Sequence, residues 1–331
     1  MAAKRSLWFL MALGCLCVTV AASLAVGSRP VSPGALFEAV LSGDWHGDGM
    51  AMLSLRLPRT LLGLLSGSAL GMAGVVLQAL TRNPLADPGI LGINAGAAFM
   101  MVLGGGLFGL TGWNAHIWLS FAGAAVAALI VHGIGFYGPR GGIPVRLTLA
   151  GVAVGAMLGG VINAVLLLDP VSFDRMRGWS AGTLAAPNLE APLAIAPFVS
   201  VGLLLALACG RSLNALSLGE DIATAMGVGV LRTRTAGGLA ATLLAGAATA
   251  GTGPIAFVGL LVPHMVRSFT GADQRWTLAF TLVLSPALLL MADILGRIVM
   301  RPGELPAGLV MAVIGAPVFV LLIRRERSIA L

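Results

Sequence analysis

Few side chains in this sequence are equipped for chemistry, and their spacing excludes most of what they could do. Lys4 is the only lysine, so there is no G-x-x-x-x-G-K-[ST] phosphate loop and no means of that kind to bind ATP. No H-E-x-x-H occurs. His46, His116, His132 and His264 lack metal-ligand spacing, so each reads as structural or interfacial and no metal site is expected. Cys15, Cys17 and Cys209 all fall in apolar runs, without the pattern of a disulfide framework or a thiolate metal site. Ser66 and Ser68 have no motif-grade base partner, so no catalytic residue is expected and a membrane enzyme is disfavoured.

Two acidic sites remain. The first is Glu220-Asp221, in the stretch Leu216–Gly229. Its spacing predicts a helix of about three turns, with Ser217 as N-cap and Glu220 as the other half of a capping box. Glu220 and Asp221 then sit in the first turn, where carboxylates suit the positive end of the helix dipole. Gly227 and Gly229 end it. Arg211 precedes the stretch, and Arg232 and Arg234 follow it. Taken alone, it is either a connector held at a membrane surface for a partner to push on or a solvated loop helix. The second site is Asp293, which at a helix centre in lipid would cost ~2.5–3.5 kcal/mol if isolated. Arg297, four residues on, shares its face and can pair with it. So few buried titratable groups argue against an ion-coupled secondary transporter, although proton coupling stays open.

Composition dictates the elements that must hold these groups. Hydrophobic residues make up 58% of the 331 and charged residues 10%, against about 45–50% and 25% in soluble domains. A soluble core cannot hide that much apolar surface. The chain is expected to be an all-α polytopic membrane protein of about ten transmembrane helices, near residues 6–27, 59–80, 91–110, 116–137, 146–168, 191–209, 236–251, 254–270, 277–298 and 306–323. These have roughly the length a bilayer demands. The first follows Lys4-Arg5, and its apolar run is too long for an ordinary signal peptide, so it reads as a retained helix. The seventh and eighth meet at Gly251-Thr252-Gly253-Pro254 without a polar linker, which predicts a tight turn in or near the membrane. Gly67-x-x-x-Gly71 predicts close helix packing; the same glycines could also line a pathway.

With the N-terminus inside, the inner segments hold 13 of the 20 basic residues and five of the 13 acids. This satisfies the positive-inside rule with both termini cytoplasmic. The net charge of +7 is thereby assigned to topology, and no nucleic-acid partner is expected; the surroundings are membrane lipid. Five spans lie on either side of the 216–229 helix.

Several motifs carry a resemblance. Arg56-Leu-Pro-Arg59-Thr, Gly71-Met-Ala-Gly74 with Gln78, and Asn83-Pro-Leu-Ala-Asp87-Pro-Gly form one group. Leu218-Gly219-Glu220-Asp221 with Met226-Gly227, Gly253-Pro254-Ile-Ala-Phe257, Ala292-Asp293-Ile-Leu-Gly-Arg297 and Gly303-Glu304-Leu-Pro306 form another. Together they strongly resemble the FecCD-type permeases of binding-protein-dependent importers for iron–siderophores, haem and cobalamin. Gly178-Trp179-Ser-Ala-Gly182-Thr-Leu is most similar to the ferric-enterobactin-type branch.

The resemblance implies a single transmembrane permease domain over residues 1–331 in the bacterial inner membrane, with a ferric siderophore as substrate. Haem or cobalamin is the alternative within the family, and a stand-alone secondary transporter the alternative outside it. It implies a second permease subunit, identical or distinct, and a separate ATP-binding cassette ATPase dimer. It also implies a periplasmic or lipid-anchored binding protein. ATP is then used by the partner, with no cofactor bound directly. The 216–229 helix becomes the coupling helix, with Gly219, Glu220, Asp221, Ala223, Met226 and Gly227 at the ATPase. Asn83, Pro84 and Leu85 resemble an inner gate. Pro144 and Val145 take the position of a second gate turn, although their residue types depart from the family. Arg56, Arg59 and Arg297 resemble the arginines that receive glutamates of the binding protein, and Arg56 and Arg59 are expected to be bare charges at the outer mouth.

Overall fold

Each of the ten apolar stretches coincides with a helix in the computed structural model, which describes residues 2–27, 52–110, 112–137, 142–186 and 188–327. In chain order these are α1 (Ala2–Ala25), α2 (Leu57–Thr81), α3 (Ile93–Phe108), α4 (Trp113–Phe136) and α5 (Ile143–Leu168). There follow α6 (Pro170–Ser180), α7 (Glu190–Ala208), α8 (Gly210–Ser217), α9 (Glu220–Ala225) and α10 (Val230–Thr252). The chain ends with α11 (Val258–Thr270), α12 (Gln274–Val299) and α13 (Ala307–Arg327). A π-helical turn (Met52–Arg56) leads into α2, and a 3-10 turn (Pro88–Leu91) into α3. All regular structure among the described residues is helical.

Among the described residues, six helices are long and apolar enough to cross a membrane: α1, α2, α4, α5, α7 and α12. The eighth expected span is shorter than its sequence suggested. The 13 residues of α11 rise about 20 Å at 1.5 Å each, short of a hydrocarbon core of about 30 Å.

Helix α2 is the axis of the bundle, with 19 of its 25 residues buried between α10, α12, α7 and α11. Its glycines permit this. A Cβ on Gly67 would come within 2.5 Å of Cα of Pro286, one on Gly71 would strike the Ser285 side chain, and one on Gly74 the backbone of Gly259. The expected close packing is therefore the packing of α2 on α12 and α11. In α1 and α5, only 17% of the apolar stretch is buried, against 78% in α2, so both lie at the periphery.

The expected tight turn after α10 is instead an open connection. Helix α10 runs on through Thr252, Gly253 takes φ 73°, residues 253–257 are non-helical, and Phe257 (φ 70°) immediately precedes α11. A backbone break of this kind in an apolar bundle must find internal partners. It does so on the segment after α6, where the Thr183 N–H donates to Thr252 O at 2.8 Å.

Side-chain bonds define the two ends of the bundle. At the basal end Arg5 donates to Thr270 O, and Asn214 of α8 to Asp273 ahead of α12. At the far end Ser23 meets Thr60, and Arg297 reaches Ser23.

Candidate functional site

The predicted helix over 216–229 is two pieces. Ser217 closes α8, its hydroxyl donating to Asn214 O at 2.7 Å rather than capping anything that follows. Gly219, at φ 118°, is the residue before α9 and supplies no side-chain cap. The capping box is therefore absent, because the chain reverses at Gly219, where only glycine is comfortable. Gly227 (φ 77°) ends the segment as expected, while Gly229 begins α10. Within α9, the Ala223 N–H closes the turn onto Gly219 O at 3.0 Å.

The two faces of this segment differ sharply. Ala223 is fully buried, so it anchors the segment and is not itself a contact surface, contrary to its place in the expected coupling set. Leu218, Ile222 and Met226 are 61%, 50% and 62% exposed, and Asp221 and Gly227 are also exposed. Three large apolar side chains at four-residue spacing thus stand out at the polar, basal end. Beside them opens a groove of about 840 Å³ lined by Arg82, Arg232, Arg234 and residues of α9.

Glu220 turns inward. Its Oε1 accepts from Arg234 Nη2 at 2.7 Å and lies 3.8 Å from Arg82 Nη2. Arg82 (φ 49°) ends α2, and Asn83 follows it, accepting on Oδ1 from the Leu85 N–H at 2.9 Å. The structure thereby brings the Leu218–Gly227 segment and the Asn83-Pro84-Leu85 turn together. Arg234 is legible in the sequence as a basic residue flanking the acidic helix start, whereas Arg82, remote from Glu220 along the chain, carries no local signal. Val145 is exposed in the first turn of α5 and belongs to neither cluster; the Pro144 side chain lies outside the described residues. Pro144-Val145 is thus part of a helix, not a turn.

Two basal carboxyls are shifted. Burial pushes the Asp87 carboxyl up, opposed by the N–H of Gly89. Burial also raises Asp273, but the Asn214 amide, the Arg275 N–H and the charges of Arg275 and Arg5 outweigh it and hold the carboxyl below its usual value.

At the far end, Asp293 is fully buried between two arginines. Arg297 pairs with it on one helix face, as the spacing predicted. Arg59 joins from α2, with Nη2 2.7 Å from Oδ1, and its Nη1 reaches Glu304 at 2.5 Å. Arg297 also donates through Nη1 to the carbonyls of Ser23 and Val26, and Arg56 to those of Leu24 and Ala25, all at 2.8 Å. These arginines satisfy carbonyls at the end of α1 that the helix itself leaves open. The expectation of bare charges is corrected: Arg56, Arg59 and Arg297 are 7%, 8% and 1% exposed. A lone charge in an apolar bundle must find a partner, and theirs lie within the chain.

Comparison with known proteins follows the same lines. Residues 15–325 match the model of the FecCD transport family. The ferric enterobactin transport system permease protein FepD of Escherichia coli is 49% identical, covering 94% of this chain and 93% of its own length. The probable siderophore transport system permease protein YfiZ of Bacillus subtilis is 38% identical over the same shares. Among solved structures, one described as a metal-chelate type ABC transporter in an inward-facing conformation superposes with a TM-score of 0.82 at 25% identity. The match covers 96% of this chain and 98% of that one.

Proposed function

The chain belongs to the FecCD transport family, and on that premise we propose that it moves a ferric siderophore through the membrane by coupling to a separate ATPase. It is a multi-pass permease of the bacterial inner membrane, of the kind found in ABC importers. Residues 1–331 form one permease domain in this reading, crossing ten times with both termini cytoplasmic, so that the basal end faces the cytoplasm. The substrate rests on the likeness to siderophore permeases. No cofactor is bound directly, and ATP is hydrolysed by the partner.

The observation that carries the coupling role is the exposed apolar row Leu218, Ile222 and Met226 at the basal end. Outside lipid, such a row is a docking surface for protein, and the ATPase dimer is its occupant in this reading. Asp221, Gly219 and Gly227 border it. The Asn83-Pro84-Leu85 turn is the inner gate in this reading, and the start of α5 at Pro144-Val145 is the second gate element. At the far end, Arg56, Arg59 and Arg297 shape the surface met by the binding protein from within. A second permease subunit would cover α5, where Cβ atoms on Gly155, Gly159 and Gly160 would meet nothing within 4 Å.

The test is co-purification of the ATPase with the permease carrying Ile222→Asp and Met226→Asp. Loss of the ATPase, with the permease still inserted and folded, supports the reading. Retention at wild-type stoichiometry would remove it.

A further inference from the structure

The coupling segment contains a carboxylate that its partner-facing row does not use. Glu220 opens α9, yet its side chain is only 20% exposed, and Arg234, which it holds at 2.7 Å, is 5% exposed. Its second neighbour is Arg82, at 3.8 Å and 41% exposed. The three groups belong to three elements: the coupling segment, the first turns of α10, and the end of α2 where the Asn83-Pro84-Leu85 turn begins. A Cβ built on Gly219 would lie 4.0 Å from Arg82 Nη1, so the reversal before α9 also borders this arginine.

We propose that Glu220 is a positioning residue, the strut through which displacement of α9 is passed to the gate turn. The assignment rests on the importer reading above and changes the part Glu220 plays in it, from an ATPase contact to an internal tie. The physical case is one of charge. Arg82 and Arg234 repel each other, and the carboxylate between them makes their joint approach favourable. With the anion in place, α9, the start of α10 and the end of α2 form one body at this point. Without it, two like charges separate the elements, and α9 can move while the gate turn stays. The contact to Arg234 is short and largely buried, so it fixes α9 on α10. The contact to Arg82 is longer and wetter, so it is the arm that transmits and the arm that adjusts. The outward row of Leu218, Ile222 and Met226 remains free for the ATPase, so contact and transmission reside in different side chains of one short segment.

The experiment uses the full transporter in proteoliposomes, with ATPase, binding protein and ferric siderophore. The variants are Glu220→Gln, Glu220→Asp and Arg82→Gln. A fluorophore at Leu85→Cys, with Cys15, Cys17 and Cys209 replaced by Ala, reports movement of the gate turn on ATP addition. For Glu220→Gln the expected result is ATPase co-purification at wild-type stoichiometry, about a tenfold fall in substrate moved per ATP, and loss of the Leu85 signal. Glu220→Asp should recover part of both. Arg82→Gln, at the partly exposed end of α2, should show the same uncoupling more weakly. Wild-type transport per ATP and a wild-type Leu85 signal in Glu220→Gln and Arg82→Gln would overturn the strut. A defect confined to weaker ATPase binding would also overturn it, by returning Glu220 to the contact surface. If the wild-type chain itself failed to bind ATPase or transport, the importer reading would fall, a result distinct from either.

Discussion

Arg59 of α2 and Asp293 of α12, 234 residues apart in sequence, close on each other with Nη2 2.7 Å from Oδ1. Arg297 takes the other carboxylate oxygen, so one buried anion is shared by two cations, with Glu304 adding a second negative charge at the edge. This cluster joins α1, α2, α12 and the segment before α13. Breaking such a group from one side leaves uncompensated charge, at a cost of about 3–5 kcal/mol. Asp293→Asn should therefore lower the thermal midpoint in detergent by several degrees and reduce the amount of inserted protein. An unchanged midpoint would mean that the cluster does not hold the far end together.

Packing around α2 gives a paired prediction. Gly71→Val drives side-chain atoms into Ser285 and Thr281 of α12, and overpacking of this kind costs about 1–3 kcal/mol. Gly155→Val on α5 meets open space and should leave the stability of the isolated permease unchanged. Thermal unfolding of the two variants side by side decides it; equal losses would contradict the assignment of α2 as axis and α5 as periphery.

In α9, Ala223→Pro removes the N–H that closes the turn onto Gly219 O. Proline inside a helix costs about 3 kcal/mol, here confined to a six-residue segment at the basal surface. Uptake should be lost while the membrane level of the protein persists. Normal uptake would show that the conformation of α9 does not matter for coupling.

A pH dependence follows from Asp273, whose carboxyl accepts from Asn214 at 2.9 Å and from the Arg275 N–H at 3.0 Å. Its value is depressed in the fold, the asparagine, the N–H and nearby arginines outweighing burial. The stability it contributes is therefore present above the ordinary carboxylate value of about 3.9 and is lost as pH falls through the lower folded value. The protection of amides at the start of α12, taken relative to their intrinsic exchange rates at each pH, should fall as the solution is acidified over that range, and Asp273→Asn should flatten the response. Protection that does not change with acid in the wild-type chain would contradict it.

The positions of the apolar helices could be read from sequence because length and composition in lipid leave little choice. The pairing of Asp293 with Arg297 was equally legible, since four residues on a helix is a local relationship. Arg59 was not placed with them, because nothing local relates α2 to α12. The split of the 216–229 stretch escaped for a related reason. Ser217 and Glu220 have capping-box spacing, and only the backbone at Gly219 reveals that the chain turns between them. The length of α11 was overstated because Pro254, Ile255 and Ala256 are apolar like the helix they precede, and a break held by Thr183 has no signature in the broken segment itself.

The central claim is that this chain is an importer permease that works only through a separate ATPase, and uptake of radiolabelled ferric siderophore into proteoliposomes tests it most directly. The chain is reconstituted alone, with its second permease subunit and ATPase, and with these plus the binding protein, each with and without ATP. The account predicts accumulation only in the complete system with ATP, and none when the Leu218, Ile222 and Met226 row is disrupted by acidic substitutions. Accumulation by the chain alone, driven by an ion gradient and indifferent to ATP, would contradict it.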